Sequence, residues 1–463
     1  MAEGIGRYDL VVLGGGSGGY ACALRAAELG KRVALIEKDR VGGTCLHRGC
    51  IPTKALLHAA EIADNTRDSA HVGIRSTFEG IDVPGVQKYK DGVVDRLWKG
   101  LQSTIASRKI DTIEGAGRLE SPTSVRVGDT VYEAEHIVLA TGSVPRSLPG
   151  LEIDGERVIN SDHALKLDRV PSSVVILGGG VIGVEFASVW RSFGADVTIV
   201  EMLPQLVPLE DESSARQLQR AFRRRGIKFE VGTKFESVKP SQAGVTVTLE
   251  GGKTIDAELL LVAVGRGPVS SGLGYEEVGV AVERGFVKVN SLCQTSVPSI
   301  SAVGDLIATP QLAHVGFAEG ILVAERVAGL PVTPIDYDGV PRITYCDPEV
   351  ASVGLTTAQA QERGLKTVEF TYNLAGNGRS VILQTQGSAK VIALSEEGGP
   401  GRVVGIHLVG SHVGELIAEA QLIYNWDAEP SDVAQLIHPH PTQSEAIGEA
   451  HLALAGKPLH VHA

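Results

Sequence analysis

The sequence lacks several features that mark particular classes of protein. Its 463 residues include only five cysteines, and so odd and sparse a set argues against the disulfide framework of a small secreted protein. The formal net charge of −12 leaves no basic excess, which argues against non-specific binding to nucleic acid or to anionic membranes. Apolar runs such as residues 259–264 are far too short to span a bilayer. The first ten residues have no basic flank followed by an apolar core, so we expect no signal peptide and a cytoplasmic protein.

Aromatic residues are also scarce, at 5% of the chain, whereas glycine is abundant, with 56 residues. Glycine at this level without low-complexity sequence indicates tight turns and places where the backbone comes close to a ligand. The chain is long enough for two to four domains.

Two glycine-rich segments have the G-x-G-x-x-G spacing of a dinucleotide-binding fingerprint. Residues 14–19 follow a predicted strand at 8–13 and open an Ala-rich helix, and the next strand, at 32–36, ends at Glu37. In such a unit the glycines make the turn, admit the pyrophosphate at the helix N-terminus and pack the helix on the sheet, while the acid binds ribose.

The same pattern returns in the middle of the chain. A predicted strand at 173–177 is followed by glycines at 178–183, a helix, a strand at 196–200 and Glu201. The first glycine and the acid are 23 positions apart in both copies, since 37 − 14 and 201 − 178 are both 23. The repeat predicts two nucleotide sites; one functional site beside a decayed copy is the alternative.

The acid of the second copy favours NAD over NADP. Glu201 suits a free ribose 2′-hydroxyl, and Met202-Leu203-Pro204, which follows, contains no cation for a 2′-phosphate. Because Cys45 and Cys50 closely follow Glu37, we expect a redox cofactor at the first fingerprint and a mobile carrier at the second.

A cysteine pair lies just downstream of the first fingerprint, in Gly42-Gly43-Thr44-Cys45-Leu46-His47-Arg48-Gly49-Cys50. In a regular helix, residues five apart have Cα atoms roughly 8.6 Å apart, whereas a disulfide needs about 4.4–6.8 Å. If Cys45 and Cys50 form a disulfide, the backbone between them must leave regular helical geometry. A strained, accessible disulfide suits thiol exchange; unpaired core cysteines or two ligands of a metal site are the alternatives.

The remaining segments are predicted with less detail. Strands at 137–142 and 259–265 end in turns, a strand beginning at 300 ends at Gly304-Asp305, and a closely packed helix covers about 313–330. From about 341 the pattern changes to a separate α+β domain. Strands there are predicted at 350–353, 367–370, 388–393 and 403–409, helices at 357–363, 413–424 and 443–454, and a turn at 396–401.

Two histidines stand near the C-terminus, in His438-Pro439-His440-Pro441. Glu445, five positions after His440 and within the next helix, can fix the tautomer of its ring and leave the other nitrogen as a base. Polar turn residues or a metal pair are the alternatives for both histidines. We expect His438 to face the other way and to tolerate substitution.

Together these residues resemble the pyridine nucleotide–disulfide oxidoreductases over essentially the whole chain. The similarity extends to Ala140-Thr141-Gly142, Val303-Gly304-Asp305, Leu312-Ala313-His314 and His438–Ala446. His47, where the family more often has Asn, and the 396–401 turn are departures from it.

The resemblance implies a fold and a domain order. We expect an α/β protein with two Rossmann-like dinucleotide-binding domains, for FAD and NAD, and a C-terminal α+β dimerisation domain. The expected boundaries are 1–152 and 271–340 for the two parts of the FAD domain, 153–270 for the NAD domain and 341–463 for the dimerisation domain.

The resemblance also implies roles for individual residues. Cys45 is expected to meet the substrate, Cys50 to lie beside the flavin, and His440 to act across the dimer as base, oriented by Glu445. Lys54 and Glu185 are expected to form an ion pair beside flavin N5. The expected cofactor contacts are Gly14, Gly16, Gly19, Glu37, Lys38, Gly43, Thr44, Lys54, Gly115, Thr141, Gly142, Ser143, Asp305, Leu312, Ala313, His314, Gly178, Gly180, Val181, Ile182, Gly183, Glu185, Glu201, Phe235 and Gly265.

The activity implied is reoxidation of dihydrolipoamide, carried on lipoyl domains of a 2-oxoacid dehydrogenase or glycine cleavage complex, by NAD+ through FAD. The partners would be an E2 component or H-protein and a second copy of this chain; no metal is expected. An NADPH-dependent reductase of a small disulfide is the chief alternative, and a catalytically silent flavoprotein scaffold is another. The absence of a further Cys pair at the C-terminus separates the sequence from mercuric reductases.

Overall fold

The computed structural model describes residues 7–461, which form two compact units. The first unit comprises the chain as far as residue 55 together with residues 84–146 and 265–337. The second comprises residues 56–83, 147–264 and the chain from residue 338 onwards. No helix in this described part of the chain is long and apolar enough to cross a membrane. The bounds of the four segments expected from the sequence stay a prediction.

Strands and helices alternate in the parallel regions and are grouped in the antiparallel ones. The strands are β1 (Tyr8–Leu13), β2 (Val33–Glu37), β3 (Asp111–Glu114), β4 (Gly117–Ser121), β5 (Ser124–Val127), β6 (Thr130–Leu139), β7 (Ser143–Pro145), β8 (Val158–Asn160), β9 (Ser173–Leu177), β10 (Asp196–Val200), β11 (Lys228–Glu230), β12 (Phe235–Pro240), β13 (Val245–Leu249), β14 (Thr254–Ala257), β15 (Leu259–Val262), β16 (Arg266–Pro268), β17 (Val282–Glu283), β18 (Phe286–Val287), β19 (Ile300–Ala302), β20 (Arg342–Thr344), β21 (Glu349–Gly354), β22 (Thr367–Asn373), β23 (Ser388–Glu396) and β24 (Gly399–Gly410). The α-helices are α1 (Ser17–Glu28), α2 (Gly43–Arg48), α3 (Cys50–Asp68), α4 (Val83–Ser107), α5 (Ser161–Ala164), α6 (Val181–Phe193), α7 (Glu212–Arg224), α8 (Ala313–Val327), α9 (Thr357–Glu362), α10 (Gly378–Ile382), α11 (Val413–Asn425), α12 (Pro430–Val433) and α13 (Glu445–Leu454).

The first unit is built on a sheet with the order β3-β2-β1-β6-β5-β4, in which β19 also pairs with β6. The strands from β3 to β6 and β19 are parallel, whereas β5 and β4 extend the sheet in antiparallel fashion. The strand β1 is almost continuously apolar and buried, because a parallel sheet is covered on both faces. The carboxyl ends of the parallel strands form the edge at which this fold binds ligands.

As far as residue 461, the second unit contains three sheets. A parallel sheet has the order β11-β10-β9-β15-β8, and an antiparallel sheet has the order β12-β13-β14. The C-terminal part forms an antiparallel sheet, β20-β21-β24-β23-β22, whose core includes Val391, Ile406, Ile417 and Ile447. The burial of β13 alternates along the strand, as expected for an antiparallel strand with one face on the core.

The helices α1 and α8 approach each other through glycine. A Cβ at Gly320 would lie 2.3 Å from the carbonyl oxygen of Gly18, and one at Gly18 would lie 2.9 Å from a methyl of Val303. The close packing predicted for the helix at 313–330 is therefore confirmed, although α8 ends at Val327.

Several predicted bounds are wrong. The strand expected at 137–142 begins at Thr130 and ends at Leu139, because its polar first half pairs with β5 and carries no apolar run. The strand expected at 259–265 ends at Val262. The turn expected at 396–401 is a tight hairpin in which Glu396 pairs with Gly399. The long helices α3 and α4 were not predicted.

Candidate functional site

The first fingerprint is the turn between β1 and α1. Gly14 has a φ of +109°, and a Cβ on it would lie 2.2 Å from the carbonyl oxygen of Ala140. A Cβ on Gly19 would lie 1.9 Å from the carbonyl oxygen of Gly14. Gly16, the residue that precedes α1, has an ordinary φ of −72° and nothing within 4 Å of a Cβ position. Its lack of a side chain has no explanation in the protein itself, and it fits a phosphate group placed against the N–H groups of the helix.

Glu37 is held in place at the end of β2. Its two carboxylate oxygens accept hydrogen bonds from the N–H of Gly15, at 2.6 Å, and of Asp39, at 2.9 Å. Lys38 directly follows Glu37 in the chain. The N–H of Gly115 donates to the Glu37 carbonyl at 2.9 Å. The carboxylate is therefore fixed beside the phosphate-binding turn, where the sequence predicted an acid for ribose.

The second fingerprint repeats this geometry between β9 and α6. Gly178 has a φ of +109°, a Cβ on it would lie 2.4 Å from a carbonyl oxygen, and a Cβ on Gly183 would lie 1.9 Å from the oxygen of Gly178. Gly180 again faces open space and precedes the first helical residues, Val181 and Ile182. The two turns thus share one arrangement, and both fit a dinucleotide.

Glu201 occupies the position that Glu37 has in the first copy. Its carboxylate accepts hydrogen bonds from the N–H of Gly179, at 2.7 Å, and of Leu203, at 2.8 Å, and the residue is 7% exposed. Phe235 and Gly265 were also expected to contact a cofactor. Phe235 packs against the apolar core of the second unit, and the carbonyl of Gly265 accepts a hydrogen bond from Arg146 in the first unit.

The cysteine pair lies on two helices rather than one. The helix α2 contains Cys45 and ends at Arg48, Gly49 leaves helical geometry with φ −149° and ψ −105°, and α3 begins at Cys50. The departure from a regular helix that a disulfide at this spacing requires is present. A Cβ on Gly43, in the first turn of α2, would lie 2.6 Å from the Cα of Gly16. The cysteine segment therefore packs directly on the first fingerprint.

The two sulfurs are thiols in this structure and contact each other through a hydrogen bond. That hydrogen bond with Cys50, and then burial, raise the pKa of Cys45 well above its ordinary value, whereas the charge of Lys54 lowers it. Burial and the neighbouring Cys45 and Cys50 raise the pKa of Tyr20 to about 12. Exchange at this pair therefore benefits from an external base that removes a thiol proton.

Arg266, which no sequence motif assigned to the site, connects the turn at Asp305 to helix α2. The guanidinium of Arg266 donates to the hydroxyl and carbonyl of Ser143, at 2.8 and 2.7 Å, and to the hydroxyl of Thr44, at 3.2 Å. The hydroxyl of Ser143 in turn donates to Asp305. The only signal in the sequence was its position directly after Gly265, at the end of a predicted strand.

The other cofactor contacts expected in the first unit follow the end of strand β6 or lie at the start of α8. The hydroxyl of Thr141 donates to the Val269 carbonyl at 2.6 Å, and Gly142 has a φ of +69°. Leu312 precedes α8, whose first two residues are Ala313 and His314.

His440 and Glu445 form the pair that their spacing predicted. The Nδ1 atom of His440 lies 2.8 Å from one carboxylate oxygen of Glu445, and the other oxygen accepts from the N–H of Thr442 at 2.7 Å. Burial alone would raise the pKa of Glu445, but the Thr442 N–H and the bond to His440 hold it below its ordinary value. The His440 side chain is 76% exposed, so its ring can be reached from solvent.

His438 binds a different carboxylate from His440, and it is no polar turn residue. Its Nε2 atom lies 2.7 Å from the carboxylate of Glu419, and its side chain is only 13% exposed. The hydrogen bond to Glu419 raises the pKa of His438. The structure thus changes the expectation that substitution at His438 is well tolerated.

Glu185 and Lys54 lie in different compact units. Glu185 is 3% exposed on α6 and accepts a hydrogen bond from the N–H of Tyr345 at 2.9 Å, while Lys54 is the fifth residue of α3. Their ion pair stays a prediction.

Comparison with known proteins agrees with this geometry over nearly the full length. Residues 8–320 match the family described as pyridine nucleotide-disulphide oxidoreductase, and residues 340–451 match the dimerisation domain of that family, in keeping with a homodimer.

Similar individual proteins support the same assignment. Dihydrolipoyl dehydrogenase of Bacillus subtilis is 39% identical over 98% of this chain and 99% of its own. Mitochondrial dihydrolipoyl dehydrogenase of Pisum sativum is 38% identical over 100% of this chain and 94% of its own. The crystal structure of LpdA from Mycobacterium tuberculosis has a TM-score of 0.89 at 28% identity and covers 96% of this chain and 99% of its own. The chain belongs to the pyridine nucleotide–disulphide oxidoreductases.

Proposed function

We propose that this protein oxidises dihydrolipoamide, carried on the lipoyl domain of an E2 component or H-protein, to lipoamide with NAD+. The observation that carries the proposal is a thiol pair at a helix break, packed on one dinucleotide fingerprint, in a chain with a second fingerprint whose acid suits NAD. The full-length likeness to proteins named dihydrolipoyl dehydrogenase supports it. The cysteine usage favours the cytoplasm.

The chemistry divides between the chain's residues and its cofactors. A substrate thiolate attacks Cys45 of the oxidised pair, which forms a mixed disulfide and releases Cys50 as a thiolate. The second substrate thiolate then breaks the mixed disulfide, so lipoamide leaves and both cysteines are reduced. The residues of the first fingerprint would hold FAD, which would supply the electron-pair acceptor between these thiols and NAD+. The overall balance would be one dihydrolipoamide and one NAD+ to lipoamide, NADH and a proton.

His440 supplies the proton transfer that these steps need. Its Nδ1 is occupied by Glu445, which leaves Nε2 to take the proton of the substrate thiol. We propose that the base serves the partner subunit's Cys45. Arg266 and Asp305, bonded through Ser143, hold the strand ends around the first cofactor in one arrangement.

A steady-state assay of the purified FAD-containing dimer tests this function. We expect turnover with dihydrolipoamide and NAD+, and little with oxidised glutathione and NADPH. The reverse preference would support the small-disulfide reductase, and inactivity with both pairs would support a scaffold.

Cys50→Ser should abolish turnover while FAD stays bound. Cys22→Ala, at a buried cysteine of α1 outside the motif, should retain turnover.

A further inference from the structure

The segment between Glu201 and α7, residues 201–211, packs closely on the second fingerprint. The N–H of Val207 donates to the carbonyl of Gly179 at 2.8 Å, and Leu206 is fully buried against the same glycine. Val207 has a φ of +44°, which is unusual for a β-branched residue. Such a conformation persists only where the surrounding structure holds it.

The far end of this segment is fixed by a buried ion pair. The Nζ atom of Lys390, on β23, lies 3.1 and 3.2 Å from the two carboxylate oxygens of Asp211, and the side chains are 6% and 3% exposed. The same carboxylate accepts hydrogen bonds from the N–H of Ser213, at 3.0 Å, and of Thr357, at 3.1 Å. Asp211 thus connects the N-terminus of α7 to the C-terminal sheet.

Lys390 belongs to a row of polar side chains that crosses this sheet. Residues paired directly across antiparallel strands point to the same face, and the register aligns Arg342, Ser352, His407 and Lys390 on four neighbouring strands. Glu210, next to Asp211, is also buried and lies 3.6 Å from the Arg342 guanidinium. The row therefore meets the segment at two consecutive acids.

We propose that Asp211 and Lys390 are positioning residues for the coenzyme, which act through the 201–211 segment on the fingerprint and on Glu201. This inference rests on the proposed binding of NAD at the second fingerprint. The pair sets the affinity for NAD+ and does not take part in thiol exchange. Its further hydrogen bonds and ion pairs join Ser213, Thr357 and Glu369, which all belong to the second unit.

The expected effect follows from the burial of the pair. Removing one partner of a buried ion pair leaves the other charge without its counterion, so the local structure rearranges to solvate it. Asp211 is the last residue of the segment that carries Val207, with its positive φ, and that begins at Glu201, so we expect the rearrangement to extend along this segment. The coenzyme would then have to reorder this segment on binding, which lowers its affinity.

The test measures NAD+ binding to the FAD-containing dimer by titration calorimetry. Lys390→Met should raise the Kd for NAD+ by about tenfold, equivalent to about 1.4 kcal/mol, and Lys390→Arg should restore much of the affinity. The KM for dihydrolipoamide and the rate at which it reduces the bound flavin without NAD+ should stay within about twofold of wild type. The double variant Asp211→Asn/Lys390→Met should bind NAD+ no more weakly than Lys390→Met alone, because each of the two substitutions breaks the same ion pair.

Glu369→Gln is the matched control. Glu369 lies 3.2 Å from the Lys390 ammonium and is half-exposed on β22. This ion pair joins Lys390 to β22 and not to the 201–211 segment. It should leave the Kd for NAD+ nearly unchanged. Equal affinities of wild type and Lys390→Met would overturn the inference. Parallel loss of FAD and of flavin reduction would also overturn it, by showing a general structural role, whereas failure of the wild type itself to bind NAD+ would contradict the proposed function.

Discussion

At the scale of single residues, the acids of the proposed sites are held by backbone N–H groups. Glu37 and Glu201 each bridge two such groups, and Glu445 accepts one from Thr442 while its other oxygen holds His440. A carboxylate fixed in this way presents its remaining lone pairs in one direction, so a ligand or a histidine ring meets a preorganised acceptor.

His440→Gln should lower dihydrolipoamide oxidation by about 10²–10⁴-fold, the usual contribution of a general base. Glu445→Gln should cost less, because it orients the ring and supports its positive charge without touching the proton. Transfer from NADH to an artificial electron acceptor needs no thiol deprotonation, so both variants should largely retain it. Equal losses in the two reactions would show that His440 is not the base.

We expect the coenzyme preference to depend on Glu201. Its buried carboxylate should repel a 2′-phosphate and leave it without a cation, so kcat/KM for NAD+ should exceed that for NADP+ by about tenfold or more. The two values are compared on the wild-type dimer at the same dihydrolipoamide concentration. Comparable values, or a preference for NADP+, would contradict the interpretation of the second fingerprint.

At the scale of elements, glycine decides how closely the helices of the first unit pack. The α1–α8 contact has no room for a methyl group at Gly320, whereas Gly100, on the exposed face of α4, has nothing within 4 Å of a Cβ position. The same substitution should therefore have opposite effects at the two sites.

Gly320→Ala should lower the free energy of unfolding by about 1–3 kcal/mol through overpacking. Gly100→Ala should raise it by about 0.5–1 kcal/mol, because alanine stabilises an exposed helix relative to glycine. Denaturant unfolding of the FAD-containing protein measures both. A stable Gly320→Ala protein with unchanged FAD retention would mean that α1 and α8 can separate at little cost.

The contact between α11 and the 438–441 segment should make stability depend on pH. Because the bond to Glu419 raises the pKa of His438, its contribution is fully present below the unfolded pKa of about 6.5 and is lost as pH rises through the folded pKa. The difference in Tm between wild type and Glu419→Gln should thus be larger at pH 6 than at pH 9. A difference that is constant across this range would exclude a titrating pair.

At the scale of the whole molecule, the proposed thiol pair and the proposed base belong to different compact units and, in our proposal, act together across two subunits. The C-terminal part that carries His440 matches the dimerisation domain of the family. Dimerisation would then be a condition for the activity as well as for stability.

Hybrid dimers test this arrangement. Cys45→Ser and His440→Gln proteins should each be inactive with dihydrolipoamide, and subunit exchange between them should restore one working site per heterodimer. Activity in the mixture is measured after exchange has been verified with differently tagged subunits. If verified heterodimers stay inactive, the base acts within its own chain or is another residue.

The sequence by itself determined the features whose parts are close along the chain. Each fingerprint lies within one βαβ unit, Cys45 and Cys50 are five apart, and Glu445 reaches His440 from five positions away, so local geometry was enough to predict them. The predicted end of β15 failed because this strand pairs with β9, which is far away in the chain. The predicted start of β6 failed because its polar first half, which has no apolar run, pairs with the neighbouring strand β5.

Only the tertiary structure decided the contacts between distant segments. Arg266 and Ser143 are 123 positions apart, and Lys390 and Asp211 are 179 apart. A charged residue in such a pair has no periodicity or spacing that distinguishes it from a solvated one, because its partner is chosen by strand order and register. The same reason explains His438, whose place in a Pro-rich segment suggested a turn and whose burial against Glu419 follows from the packing of α11.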